Sequence, residues 1–193
     1  MRIQPRPHQE YPWYVRLLLK LQRRKYGKEL DSSKIWARSP KVFLGLSFFY
    51  GALDRKSSPL DPKLSALIKV RVSQINHCEF CIDINTAALL SLGGHQNKIH
   101  ELQKFQESPL FSEKEKTALT YAEAITFTDR DVTDVLFSQL KEYFSDDEIV
   151  ELTGLIAFQN CSSKFNNALN IPSQSFCVVP SLSDLAEEHE KKD

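Results

Sequence analysis

From Asp61 to Leu169 the apolar residues recur at three- and four-residue spacing, inside segments that open on capping residues and close on glycine or proline. A half-buried strand would alternate apolar and polar residues. No such run exceeds a few positions, and the one candidate, Phe176 to Val179, is short and adjoins Pro180. The expected fold class is therefore all-α, a bundle of about seven to nine helices given the usual length of helix plus connection.

The helices can be placed by their caps. Asp61 caps Pro62 to Gln74, where Leu64, Leu67, Ile68, Val70 and Val72 form a wide apolar stripe that continues to Ile75. The next helix runs through CEFCIDINTAALLSL and stops at Gly93-Gly94, so the two meet at Asn76-His77. Ser112 with Glu115 is a capping box before EKTALTYAEAITF, and Thr133 to Phe144 and Asp146 to Leu169 are two more amphipathic runs, the last ended by Pro172. Upstream, Pro12 opens a helix that Gly27 closes, and Asp31 or Ser32 caps a short one ending before Pro40. Lys41 to Lys56 is apolar nearly all round, the pattern of a segment deep in a bundle or at a subunit contact. SSPLDP is the clearest break in the chain. The expected organisation is an N-terminal helical extension (1–58), a core (59–172) and a C-terminal tail (173–193) ending in the charged DLAEEHEKKD.

Charge and hydropathy narrow the function. With 41% apolar and 26% charged residues the chain is globular rather than disordered or collagen-like. No apolar run approaches the roughly 20 residues needed to span a bilayer, and MRIQPRPHQEYPWY lacks the apolar centre of a secretory signal. The expectation is a cytoplasmic protein that does not enter the membrane. The net charge is zero but uneven: residues 1–58 hold 13 Lys and Arg against 4 Asp and Glu, and the rest holds 12 against 21. RLLLKLQRRKYGK reads as an amphipathic helix with Leu17, Leu18 and Leu21 inward and Arg23, Arg24 and Lys25 solvated, so no nucleic-acid partner is expected. An acidic partner for the basic arm would bind in a salt-sensitive way.

Chemistry concentrates in Cys78-Glu79-Phe80-Cys81, two of the four cysteines. The spacing has three readings: a redox-active dithiol, half of a zinc site, or two buried small residues. A helix starting near His77 puts Cys78 in its first turn, where free N–H groups and the positive dipole end favour a thiolate. Cys81 then lies one turn along the same face, within disulfide reach at the mouth of the bundle. One thiolate attacking an oxidant becomes a sulfenic acid, the second thiol closes a disulfide, and an outside reductant resets the pair. Zinc needs four ligands, and Cys161, Cys177, His77, His95 and His100 offer no second CxxC, CxxH or HxxxH pair, so neither metal nor cofactor is expected. Cys161, beside Phe158, reads as a core residue; spacing says nothing of whether Cys177 is near the pair.

The stretch SPLDPKLSALIKVRVSQINHCEFCIDINTAALLSLGG, followed by LFSEKEKTALTYAEAIT and DEIVELTGLIAFQNCSSKFNNALNIP, resembles the AhpD-like alkylhydroperoxidase/carboxymuconolactone decarboxylase superfamily over about residues 59–172. The resemblance implies an AhpD-like helical bundle assembled as a homo-oligomer. For the CxxC branch it implies peroxiredoxin activity: reduction of hydrogen peroxide or an organic hydroperoxide, with electrons from a dithiol protein or small thiol. The decarboxylase branch lacks the cysteine pair, and its reaction is not implied.

Carried over by position, the peroxidatic cysteine is Cys81 and the resolving cysteine Cys78. Two positions depart: the relay Glu twelve residues before the first cysteine is Ala66, and the relay His four after the second is Asn85. Asn85 can hydrogen-bond a thiolate or hold a water but takes no proton near neutrality, so turnover is expected to be slow. Replacement bases are His77, which adjoins Cys78 and can titrate near neutrality, Asp83, which points to another helical face, and Glu79; His77 is the best of them. Trp13, Trp36 and Phe48-Phe49-Tyr50 can line a hydroperoxide pocket, though such aromatics more often serve packing. The alternative is an AhpD-like fold that has lost turnover and serves as a redox-sensing or assembly module.

Overall fold

The computed structural model describes residues 1–177, and among them every regular element is helical. In order these are α1 (Trp13–Tyr26), α2 (Asp31–Trp36), α3 (Pro40–Leu53), α4 (Pro62–Ile75), α5 (Glu79–Ser91), α6 (Gln96–Glu101), α7 (Glu113–Thr126), α8 (Asp134–Tyr143) and α9 (Asp146–Ala168). Single 3-10 turns lie at His8–Glu10 and Leu102–Lys104. None of these helices is long and apolar enough to cross a membrane. The short segment Phe176 to Val179, set aside as a strand candidate, begins as a bend at Phe176 and Cys177; its other two residues and the tail DLAEEHEKKD lie outside the described residues.

Local chemistry sets the helix ends. The Asp61 carboxylate accepts the Leu64 N–H at 2.8 Å, and full capping boxes, Ser112 with Glu115 and Ser145 with Glu148, open α7 and α9. Gly27 and Gly93, both at φ 76, end α1 and α5 in the left-handed conformation that glycine adopts without strain.

Helix α4 is the hub, packed against α5, α7 and α9. Its Leu67, Ile68, Val70 and Val72 join Leu119 and Ala122 of α7 and Leu152 and Ile156 of α9 in the principal core. A second cluster ties α1 to α3 through Val15, Leu19 and Phe43. Helix α3 departs from the first of its two expected placements, deep in the bundle, because only Phe43 is buried, while Val42, Leu44 and Phe49 are exposed and Phe48 is 80% exposed. It lies across the outside of α1, α2 and α9, with Phe49 and Tyr50 against Phe158, and does not run deep in the bundle. Cys161 also departs: the buried stripe of α9 runs Ile149, Leu152, Ile156, Gln159, Ser163, Asn166, and position 161 falls on the exposed opposite face.

Candidate active site

The turn between α4 and α5 is built to present the cysteine pair. Helix α4 ends with His77 at φ 51 and with the Cys78 N–H bonded back to the Ser73 carbonyl at 3.1 Å, the six-to-one closure of a Schellman turn. Asn76 anchors the turn to α9, donating to Asn160 Oδ1 at 2.8 Å and accepting from Asn167 Nδ2 at 3.1 Å through its carbonyl. Cys78 is the N-cap of α5, and its sulfur accepts the Cys81 N–H at 3.2 Å. The two cysteines form a disulfide, with Cα atoms 5.2 Å apart.

The pair does not sit at an open mouth. Cys78 is 1% and Cys81 2% exposed, in a cluster with Leu30 and Ile35 of the N-terminal segment, Phe80, and Ile171 beyond α9. Phe165, Leu169 and Phe176 pack on the same cluster, and Trp36 stacks on Phe165 with ring centroids 3.5 Å apart. The cover is a strap, residues 171–177, fastened by one carboxylate. Asp83 accepts from Ser173 Oγ (2.8 Å), Gln174 N (2.9 Å), Phe176 N (2.8 Å) and Cys177 N (2.7 Å). Burial opposes ionisation of Asp83, but these four donors outweigh it and hold the carboxyl below its ordinary value. From the other side, Gln174 bonds the Glu29 carbonyl at 3.1 Å and the Asp31 N–H at 2.8 Å, and Lys28 donates to the Gln174 carbonyl while lying over the Phe176 ring.

One side-chain donor reaches the buried pair, and a second polar network lies near it without bonding either sulfur. Asn166 of α9, fully buried, donates its Nδ2–H to Cys81 Sγ at 3.2 Å and accepts from Ser32 Oγ at 2.7 Å. Asn85 bonds neither sulfur; it donates to Ser73 Oγ (3.1 Å) and Gln159 Oε1 (3.2 Å), and Gln159 donates to Ser73 and Ser163. This network is hydroxyls and amides throughout, with nothing in it that titrates near neutrality. Ala66 is buried in the principal core. His77 and Glu79 are exposed, and the His77 side chain has no hydrogen bond among the described residues. Asp83 is occupied by the strap.

Sequence reasoning missed Asn166 and Ser32. The available signal was the α9 stripe, whose three- and four-residue spacing stays in register while its residues change from Ile and Leu to Gln159, Ser163 and Asn166. It also missed a cluster on the far side of Tyr26, where the Tyr26 and Tyr50 hydroxyls are 3.0 Å apart and Lys25 pairs with Asp54. There burial lowers the Lys69 ammonium, a fall that Asp54 opposes and Lys25 adds to. Burial, then Tyr26 and Asp54, push the Tyr50 hydroxyl well above 10. Cys177, itself part of the strap, lines a cleft of about 320 Å³ with Glu79, Ile82, Asp83, Thr86 and Ser173, which does not include the cysteine pair. Trp13 is 70% exposed. No group of three or more potential metal ligands gathers among the described residues.

A helical bundle with a CxxC disulfide at the start of one of its inner helices is the AhpD-like arrangement. Comparison with known proteins agrees: the chain belongs to the carboxymuconolactone decarboxylase family, within the AhpD-like superfamily, and that family's sequence model matches residues 40–124. The uncharacterized protein YnjA of Escherichia coli K12 is 40% identical over 174 residues, covering 90% of this chain and 96% of YnjA. The uncharacterized protein YdfG of Bacillus subtilis 168 is 32% identical over 59% of this chain and 78% of its own length. A peroxidase-related protein from Ralstonia eutropha JMP134 with an alkylhydroperoxidase AhpD core superposes with a TM-score of 0.82 at 19% identity, over 91% of this chain and 93% of that one. The debrominase Bmp8 in complex with 2,3,4-tribromopyrrole gives 0.76 at 17% identity, over 98% and 97%. At those identities the structural likenesses establish the fold.

Proposed function

We propose that this chain is a thiol-dependent oxidoreductase that reduces hydrogen peroxide or an organic hydroperoxide through Cys78 and Cys81. The observation that carries the reading is the disulfide across the first turn of α5, with a hydrogen-bond donor on each sulfur. In the proposed cycle the Cys81 thiolate attacks one peroxide oxygen, the O–O bond breaks, and the leaving alkoxide or hydroxide takes a proton. The Cys78 thiol then condenses with the Cys81 sulfenic acid, releasing water and forming the disulfide, and a dithiol protein or small thiol returns two electrons. Turnover is slow, because a positioned base is worth ~10²–10⁴-fold and Ala66 and Asn85 stand where the family's relay has one. Reduced protein given hydrogen peroxide, an organic hydroperoxide or 2,3,4-tribromopyrrole tests the reading and its substrate class together. Cys81-dependent consumption of a peroxide supports it; wild type and Cys81→Ser consuming both peroxides equally slowly would refute it.

A second reading, a redox-sensing or assembly module without peroxidase turnover, is favoured by the burial of both sulfurs and by the neutral Ser73–Asn85–Gln159 network. Titration in graded thiol–disulfide buffers separates the two roles. A pair that cycles near the cytosolic glutathione range supports a redox function of either kind, and an unreactive pair leaves only assembly.

A further inference from the structure

The geometry points to Asn166 and Ser32 as the pair that sets the acidity of the Cys81 thiol. Asn166 donates a hydrogen bond to the sulfur, and Ser32, a positioning residue on the N-terminal extension, fixes which end of the Asn166 amide faces it. The inference rests on the dithiol part of the proposed function and names the residues that stabilise the Cys81 thiolate where no relay base stands.

A thiolate in an apolar pocket is costly unless donors are aimed at it. Cys78 has such a donor from the backbone, the Cys81 N–H at 3.2 Å, together with the positive end of α5. For the Cys81 sulfur the donor is the Asn166 amide at 3.2 Å. An amide has two ends, and only the nitrogen end helps; a flipped Asn166 would set a carbonyl oxygen against the sulfur lone pairs. Ser32 Oγ, donating to Oδ1 at 2.7 Å, holds the productive orientation, and the main-chain carbonyl of Asn166 separately accepts the Ile171 N–H at 3.0 Å. Asn166 and Ser32 come from α9 and α2, so the orientation of the donor depends on the packing of the N-terminal segment beside the pair. The step they act on is a proton loss alone: Cys81 Sγ–H gives its proton to solvent buffer, the thiolate remains under the amide, and no electron moves. An amide takes up no proton, so the pair moves the midpoint of the Cys81 titration without adding a second ionisation to it.

The test uses full-length protein carrying Cys78→Ser, Cys161→Ser and Cys177→Ser, so that Cys81 is the remaining thiol, read by thiolate absorbance against pH and by alkylation rate. Ser32→Ala raises the Cys81 midpoint by about one unit, roughly tenfold less thiolate near neutrality. Asn166→Asp raises it further, because a carboxylate is set beside the thiolate, and Ser32→Thr, which keeps the hydroxyl, restores the parent value. In the matching Cys81→Ser series the Cys78 midpoint stays where it was. A Cys81 midpoint unmoved in folded Ser32→Ala would overturn the inference, and so would equal shifts at both cysteines, which report general loosening. No peroxide enters these titrations: shifts as expected in a protein that ignores hydroperoxides would refute the proposed activity and leave this assignment standing.

Discussion

At the residue scale the site joins a motif that any reader of the chain can find to partners that spacing does not reveal. Cys78-x-x-Cys81 is local, and the helix that brings its sulfurs together follows from Asn76-His77 and the apolar run after it. Asn166 and Ser32 lie 85 and 134 positions from their partners, and only tertiary packing brings them in. His77 is the position where sequence and structure pull apart: it adjoins Cys78 in sequence, but it is exposed, and its φ of 51 is a conformation that costs a non-glycine residue about 1–2 kcal/mol. His77→Gly is expected to raise stability by about 1 kcal/mol in denaturant titration, since glycine adopts that conformation without strain, and to leave the alkylation rate of the reduced pair unchanged. A large fall in that rate, with folding intact, would instead make His77 the base.

At the scale of elements the strap covers the pair, and it is expected to govern access. Asp83 is the shared acceptor for its side chain and main chain, and that carboxylate works only while ionised. Its folded-state value lies below the ordinary aspartate range, so its stabilisation is fully present above about pH 4 and is lost only as the pH falls through the lowered value. The latch therefore holds unchanged from neutrality down to about pH 5. Asp83→Ala removes it at every pH, and the Cys78–Cys81 disulfide is then expected to be reduced by dithiothreitol several-fold faster than in wild type, with the pH dependence of the ratio flat across that window. Equal rates would mean that reductant reaches the sulfurs by another path. Sequence reasoning set Asp83 on a different helical face from Cys81, which is correct, but nothing in spacing tells that a carboxylate two positions on will gather the far end of the chain. Helix α3 taught the reverse lesson, because an all-round apolar pattern is shared by a buried helix and by one that covers the bundle on one side and is left bare on the other.

For the whole molecule, the charge asymmetry is partly resolved within the fold. Arg55, near the end of the basic segment, forms a two-bond pair with Glu151 of α9 at 2.6 and 3.0 Å. The all-α class and the core helices were legible because caps and periodicity agree along α4, α5, α7 and α9, whereas the place of α4 at the hub came only from the packing. What was not legible is how the first 58 residues and the strap wrap around the cysteines, since those contacts are long in sequence and weak in pattern. The exposed face of α3, with Phe48 at 80% exposure, is the patch we propose as the contact of a homo-oligomer. Phe48→Glu is expected to shift the protein toward monomer in sedimentation equilibrium with its helical content intact; an unchanged mass would place the contact elsewhere.

Under the proposed function the two buried sulfurs exchange electrons with a hydroperoxide. Fully reduced protein is mixed with one equivalent of hydroperoxide, and intact mass with thiol counting is followed over time. The expected outcome is loss of two hydrogens, with Cys78 and Cys81 joined, in wild type, and no such product in Cys81→Ser. Thiols that survive the peroxide unchanged in reduced wild type, under conditions where the strap is open in Asp83→Ala and the thiols still do not react, would contradict it.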